Sequence, residues 1–165
     1  MLPIVFTCLI VISLSSVSCY PSGAPEETCS SLSPEHGHGV PSQPVAQAPF
    51  YVVAHGKKFS PGDKIGVEVF QRDKVATFKG FLVQALDSVT HQPIGSFMST
   101  TGMQPINSCS AITHTDPRPK KGVNLVWEAT VPQPGEVIFR ATIVQNKKLY
   151  YANILAYEAE QFYST

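Results

Sequence analysis

Five histidines and three lysine-bearing clusters are the groups in this chain whose types and spacing could do chemistry. His114 stands two residues before Asp116, an arrangement in which a carboxylate can orient a general base. No nucleophile in a matching context accompanies the pair. The chain has no Gly-x-Ser-x-Gly elbow, no Gly-x-x-x-x-Gly-Lys loop and no His-Glu-x-x-His. His114 is therefore expected to be a structural histidine in a turn, and no catalytic residue is assigned. His36 and His38 flank Gly37, and His55 or His91 would have to complete a metal site in three dimensions. Zinc takes four fixed ligands, or three plus water, so two histidines in a glycine-containing strap fall short. Neither a metal nor another cofactor is expected.

The basic clusters are Lys57-Lys58, Arg118 with Lys120-Lys121, and Lys147-Lys148, all in predicted turns. If two of these turns share one end of the fold, they make a cationic patch that attracts lipopolysaccharide phosphates or anionic cell walls, with attraction that weakens as salt rises. If they do not, they simply keep the turns solvated. Tyr150, Tyr151, Tyr157, Phe162 and Tyr163 are read as exposed aromatics near the C-terminus. They could stack on sugars, although aromatics beside a terminal strand more often pack a core and its rim. Twelve Lys and Arg balance twelve Asp and Glu, which argues against a dedicated nucleic-acid binder.

These groups must be positioned by the rest of the chain. Met1 to Cys19 reads as a secretory signal peptide, with an apolar core from Ile4 to Leu14 followed by small polar residues. Cleavage after Cys19 leaves Cys29 and Cys109 as an even pair, for which one disulfide is the natural expectation. Cleavage after Ser18 would leave Cys19 as an odd thiol. The expected product is a secreted, extracellular protein of one domain, residues 20–165, with no membrane anchor.

Residues 20–49 are dense in proline and read as a strap that runs extended over the surface, tethered by Cys29. Strand-like runs follow at Phe50–Ala54, Ile65–Phe70, Thr77–Asp87, Ile94–Met98, Ala111–Thr115, Val123–Ala129, Val137–Val144 and Leu149–Ala156, the last two joined as a hairpin by Asn146-Lys147-Lys148. Thr77–Asp87 is apolar in both parities, with Phe78, Leu82 and Leu86 on one side and Phe81, Val83 and Ala85 on the other. That fits a central strand covered on both faces, with a bulge or close backbone approach at Gly80. Seven or eight short strands without a helical period indicate an all-β protein, an antiparallel β-sandwich, with Trp127 as its core anchor.

The ordered series resembles the reeler domain, in the form found in small secreted insect defence proteins of the haemolymph. The resemblance is carried by Cys29 after a proline-rich start, Phe59-Ser60-Pro61-Gly62-Asp63, Phe78-Lys79-Gly80-Phe81-Leu82-Val83-Gln84-Ala85 and Ile94-Gly95-Ser96-Phe97. It continues through Cys109, Ala111-Ile112-Thr113-His114, Trp127-Glu128-Ala129 and the run from Gly135 to Thr142. It implies an immunoglobulin-like sandwich with the two cysteines bridged. It also implies an immune-induced protein that binds microbial surfaces, promotes haemocyte aggregation or acts against bacteria. Larger relatives place the domain in matrix proteins or beside ferric-reductase modules, so an extracellular adhesive module with a protein partner is the alternative expectation. The identity of the ligand and the oligomeric state are left open.

Overall fold

The computed structural model describes residues 20–34 and 39–164. The signal-peptide cleavage site and the His36 and His38 pair lie outside the described residues. Five strands make the first sheet: β1 (Phe50–Ala54), β3 (Lys64–Gln71), β5 (Ser96–Phe97), β8 (Gly122–Glu128) and β11 (Tyr157–Glu158), in the order β11-β1-β3-β8-β5. The second contains β4 (Gly80–Asp87), β6 (Met103–Ile106), β7 (Ala111–His114), β9 (Gly135–Asn146) and β10 (Leu149–Leu155), in the order β10-β9-β4-β7-β6. A two-residue strand, β2 (Lys58–Phe59), also pairs with β9. All pairings are antiparallel except β1 with β11, which is parallel.

Period-two patterning places the core between the sheets. Ile65, Val67 and Val69 of β3 point inward, as do Leu125 and Trp127 of β8 and Phe81, Val83 and Ala85 of β4. Trp127 is fully buried and meets Phe59 and Phe139 edge-on at 5.2 and 5.9 Å. Its indole N–H donates to the Ile94 carbonyl at 2.9 Å, so the polar end of the ring is satisfied. Gly95 lies flat against that ring: a Cβ there would stand 2.2 Å from Trp127 Cζ2, and its φ of +66° already favours glycine.

The outer face of β4 is covered too, by the N-terminal strap. Leu82 packs with Cys29, Leu32, Cys109 and Ala111 in a second cluster, and the Cys29–Cys109 disulfide ties strap to sheet with 6.3 Å between the Cα atoms. The strap is less extended than its prolines suggest, because Thr28–Ser31 forms one turn of helix, α1, whose residues Thr28 and Cys29 are buried. Its other ties are Ala24 N–H to Thr113 Oγ1 (3.0 Å), Gln104 Nε2 to the Ser22 carbonyl (3.1 Å) and Thr142 Oγ1 to the Leu32 carbonyl (2.7 Å). Beneath the strap, Gln84 donates to the Cys109 carbonyl and accepts both Nε and a terminal nitrogen of Arg140.

The strand expected at Thr77–Asp87 begins at Gly80. Lys79 still donates to the Val144 carbonyl of the second sheet, but Phe78 forms a bridge to Lys120, just ahead of β8 in the first sheet. Phe78 consequently joins Phe81 and Phe50 in the main core instead of sharing a face with Leu82. The close approach expected at Gly80 is real: a Cβ there would sit 2.9 Å from the His114 ring.

Candidate functional site

Register decides which basic clusters share an end. Gly80 pairs with Val144, the Lys79 N–H donates to the Val144 carbonyl at 2.8 Å, and Lys147-Lys148 form the turn between β9 and β10. Lys79, Lys147 and Lys148 are thereby gathered at one end of the second sheet. Lys58 pairs with Glu136 at the opposite end of β9. From Glu136 to Val144 is eight residue steps, roughly 26 Å at about 3.3 Å each. Lys57 is also at that far end, in an ion pair with Glu158 at 2.8 Å that raises the Lys57 pKa. Lys58 belongs to β2, so this cluster is partly strand where a turn was expected.

Lys120 and Arg118 flank the lysine end but are engaged. Lys120 Nζ donates to the carbonyls of Asp116, Arg118 and Lys79 and to Asp116 Oδ1, locking the loop ahead of β8. Arg118 pairs with Asp116 at 3.0 Å, and the two cations hold that carboxyl far below the usual carboxylate range, Arg118 contributing most. Lys121 is exposed immediately before β8, its carbonyl accepting from the Gln71 N–H. Lys79, which belongs to no sequence pair, joins the site only through strand register.

His114 occupies the end of strand β7, not a turn, and is 8% exposed. Its Nδ1 accepts from the Phe81 N–H at 3.3 Å. Burial, the largest influence, lowers its pKa below the ordinary 6.5, and the imidazole also contacts the Tyr20 backbone. Asp116 is committed to Arg118 and Lys120, so it does not orient His114 as in an acid–base pair. Among the described residues, no group of three His, Cys, Asp or Glu side chains could hold a metal ion. His55 instead pairs with Glu68 at 3.1 Å.

The aromatics divide. Tyr150 and Tyr151 are buried, at 5% and 6% exposure, against the expectation of exposed rings. Tyr151 belongs to the main core, and Tyr150 reaches the Val40 carbonyl. At these two neighbouring positions β10 is covered on both faces. Tyr157 and Tyr163 are exposed, and Phe162, on the short helix α2 (Ala159–Tyr163), packs on Tyr51 at 4.7 Å.

Beside Lys79, Lys147 and Lys148 opens a cleft of about 500 Å³ between the strap and the outer face of β4, β7 and β9. Leu82, Val144 and the His114 ring form its floor; Pro21, Ala24 and Leu32 of the strap form its other wall. Among the described residues, no Asp or Glu lines it. An apolar interior with lysines at one mouth suits an anionic amphiphile better than a polar small molecule.

The reeler domain profile matches residues 27–161. The chain belongs to the reeler domain family. It is 29% identical over 149 residues to "Putative defense protein 3" of the moth Antheraea mylitta, covering 88% of each chain. It is 31% identical over 154 residues to ferric-chelate reductase 1 of Bos taurus, a match that takes in 88% of this reeler domain chain but 25% of the reductase. The chain thus spans about a quarter of the length of the reductases it matches, and their activity belongs to those longer proteins. The crystal structure of the human F-spondin reeler domain superimposes with a TM-score of 0.55 at 23% identity, covering 66% of this chain and 85% of that one. The β-sandwich is the family's fold, and the moth relatives fit a non-enzymatic module. Among the described residues, no helix is long and apolar enough to cross a membrane.

Proposed function

We propose that this reeler domain is a secreted innate-immunity protein that binds microbial surfaces noncovalently, through the end of the sandwich bearing Lys79, Lys147 and Lys148. The observation that carries the reading is the convergence of these three lysines, in none of the ion pairs found among the described residues, on a chain matched along most of its length by a moth defence protein. Phosphates of lipopolysaccharide and the polyanions of cell walls are the complementary surface. A repetitive surface multiplies a weak single contact when several copies engage it, which supports haemocyte aggregation around microbes.

Binding of the disulfide-bonded protein to labelled bacteria and to immobilised lipopolysaccharide, at low and moderate salt, tests this. The expected result is saturable binding that weakens as the Debye length contracts from about 10 Å at 0.1 M salt. No binding in either condition overturns the reading. Capture of a protein from cell-free haemolymph without capture by washed microbes would favour the adhesive-module alternative.

A further inference from the structure

We propose that the cleft between the strap and the second sheet holds a single acyl chain, with its anionic headgroup against Lys79, Lys147 and Lys148. The inference rests on the reading of a microbial-surface protein and names the part of the surface lipid that the fold takes in. The volume, about 500 Å³, lies within the range of roughly 300–1,000 Å³ typical of small-ligand sites.

Four of the polar side chains that line the space already have partners. Thr142 Oγ1 donates to the Leu32 carbonyl, and Thr28 Oγ1 donates to the Pro25 carbonyl. His114 Nδ1 accepts from the Phe81 N–H, and the Ser33 hydroxyl meets the Tyr150 hydroxyl at 3.5 Å. A sugar or nucleotide buried there would leave its own donors and acceptors without partners, a cost a hydrocarbon avoids. A peptide strand gains nothing from the floor, because β4 and β9 are each paired on both sides and offer no free ladder edge. Charge selects the other end of the ligand. Three lysines stand at the mouth and, among the described residues, no carboxylate lines the cleft, so a tail ending in phosphate or carboxylate is complementary where a neutral or cationic head is not. Inorganic phosphate alone would satisfy the lysines and leave the apolar walls unfilled.

Titration calorimetry on the disulfide-bonded protein with octyl, decyl and dodecyl phosphate, each kept below its micellar concentration, tests the inference. Inorganic phosphate and dodecyl maltoside are the comparison arms, and lipopolysaccharide binding is measured in parallel. Affinity is expected to rise about fourfold for each added methylene until the cleft is filled. Inorganic phosphate should give no saturable binding, and the uncharged maltoside should bind about tenfold or more weakly than dodecyl phosphate. Val144→Trp, which fills the floor, should weaken dodecyl phosphate by about tenfold or more. Ala24→Phe, which fills the strap wall, is the second variant in case the first misfolds, and circular dichroism confirms the fold of each. Equal binding of the three alkyl phosphates overturns the inference, as does wild-type affinity in both folded variants, and either result leaves the surface reading intact if lipopolysaccharide still binds. Chain-length-dependent binding of alkyl phosphate without any lipopolysaccharide binding would do the reverse, keeping the cleft and removing the proposed function.

Discussion

Replacing Cys29 and Cys109 together by alanine removes the covalent tie between the strap and the sheet. The bridge closes a sequence separation of 80 residues. Chain-entropy arithmetic for a loop of that length gives about 4.5 kcal/mol at 25 °C as the entropic limit. Most of this acts on the unfolded chain, because in the folded state the strap keeps its hydrogen bonds from Ala24 to Thr113, from Gln104 to Ser22 and from Thr142 to Leu32. The folded variant should therefore retain its far-ultraviolet spectrum and lose stability. Urea unfolding followed by the fluorescence of Trp127, the single tryptophan, is the assay. With a denaturant slope of about 2 kcal/mol per molar, the midpoint should fall by roughly 2 M. The wild type in reductant should approach the variant. A midpoint within about 0.5 M of the oxidised wild type would refute the assignment of the bridge as the main constraint on the unfolded chain.

Gly95→Ala should destabilise the core, since its Cβ would stand 2.2 Å from Trp127 Cζ2 at a φ of +66°. Overpacking and left-handed strain together cost about 3 kcal/mol or more, a fall in Tm of roughly 6–12 °C by calorimetry. Burial keeps the His114 pKa below 6.5, so the unfolded chain takes up this proton more readily than the folded one. Its contribution is complete above about pH 6.5 and declines as pH falls from there toward the folded value, by at most about 1.4 kcal/mol per pH unit. Unfolding midpoints against pH should show that slope in the wild type and lose it in His114→Asn, whatever the absolute stability of the variant. Trp127→Phe should leave the Ile94 carbonyl without its donor and cost about 1–3 kcal/mol in urea unfolding, a value near zero arguing against a sealed core there.

The parts of the fold written in local pattern were legible in the sequence. Phe50–Ala54 matches β1 to the residue, and the alternation of Ile65, Val67 and Val69 and the turn at Lys147-Lys148 stand where the sequence puts them. Seven of the eight expected runs are strands of four or more residues, while the run at Ile94–Met98 shrinks to the two-residue β5 and the unexpected β6 makes the eighth longer strand among the described residues. What local pattern could not show depends on distant partners. β6 contains Pro105, which reads as a break but is tolerated because β6 is an edge strand. The turn of helix at Thr28–Ser31 has weak intrinsic preference and is held by its disulfide and its burial on the sheet. β11 is two residues long and gains its place by lying parallel to β1.

The site follows the same division. The basic clusters were visible as composition, but their sorting into two ends is a consequence of β9, whose two ends carry Glu136 opposite Lys58 and Val144 opposite Gly80. Lys79 is a lone lysine in sequence and enters the site only by that pairing. Lys120 reads as a surface cation and is spent on three carbonyls and a carboxylate. The cleft has no sequence signature at all, because one wall is the strap and the other is the back of a sheet that the strap crosses.

The most direct test of the account compares two sets of variants on immobilised lipopolysaccharide across a salt series. Lys79→Ala, Lys147→Ala and Lys148→Ala combined should reduce binding and flatten its salt dependence, while Lys57→Ala with Lys58→Ala, at the opposite end, should bind as the wild type does. Equal losses in both sets, or a triple variant that binds with wild-type affinity and salt dependence, would contradict it.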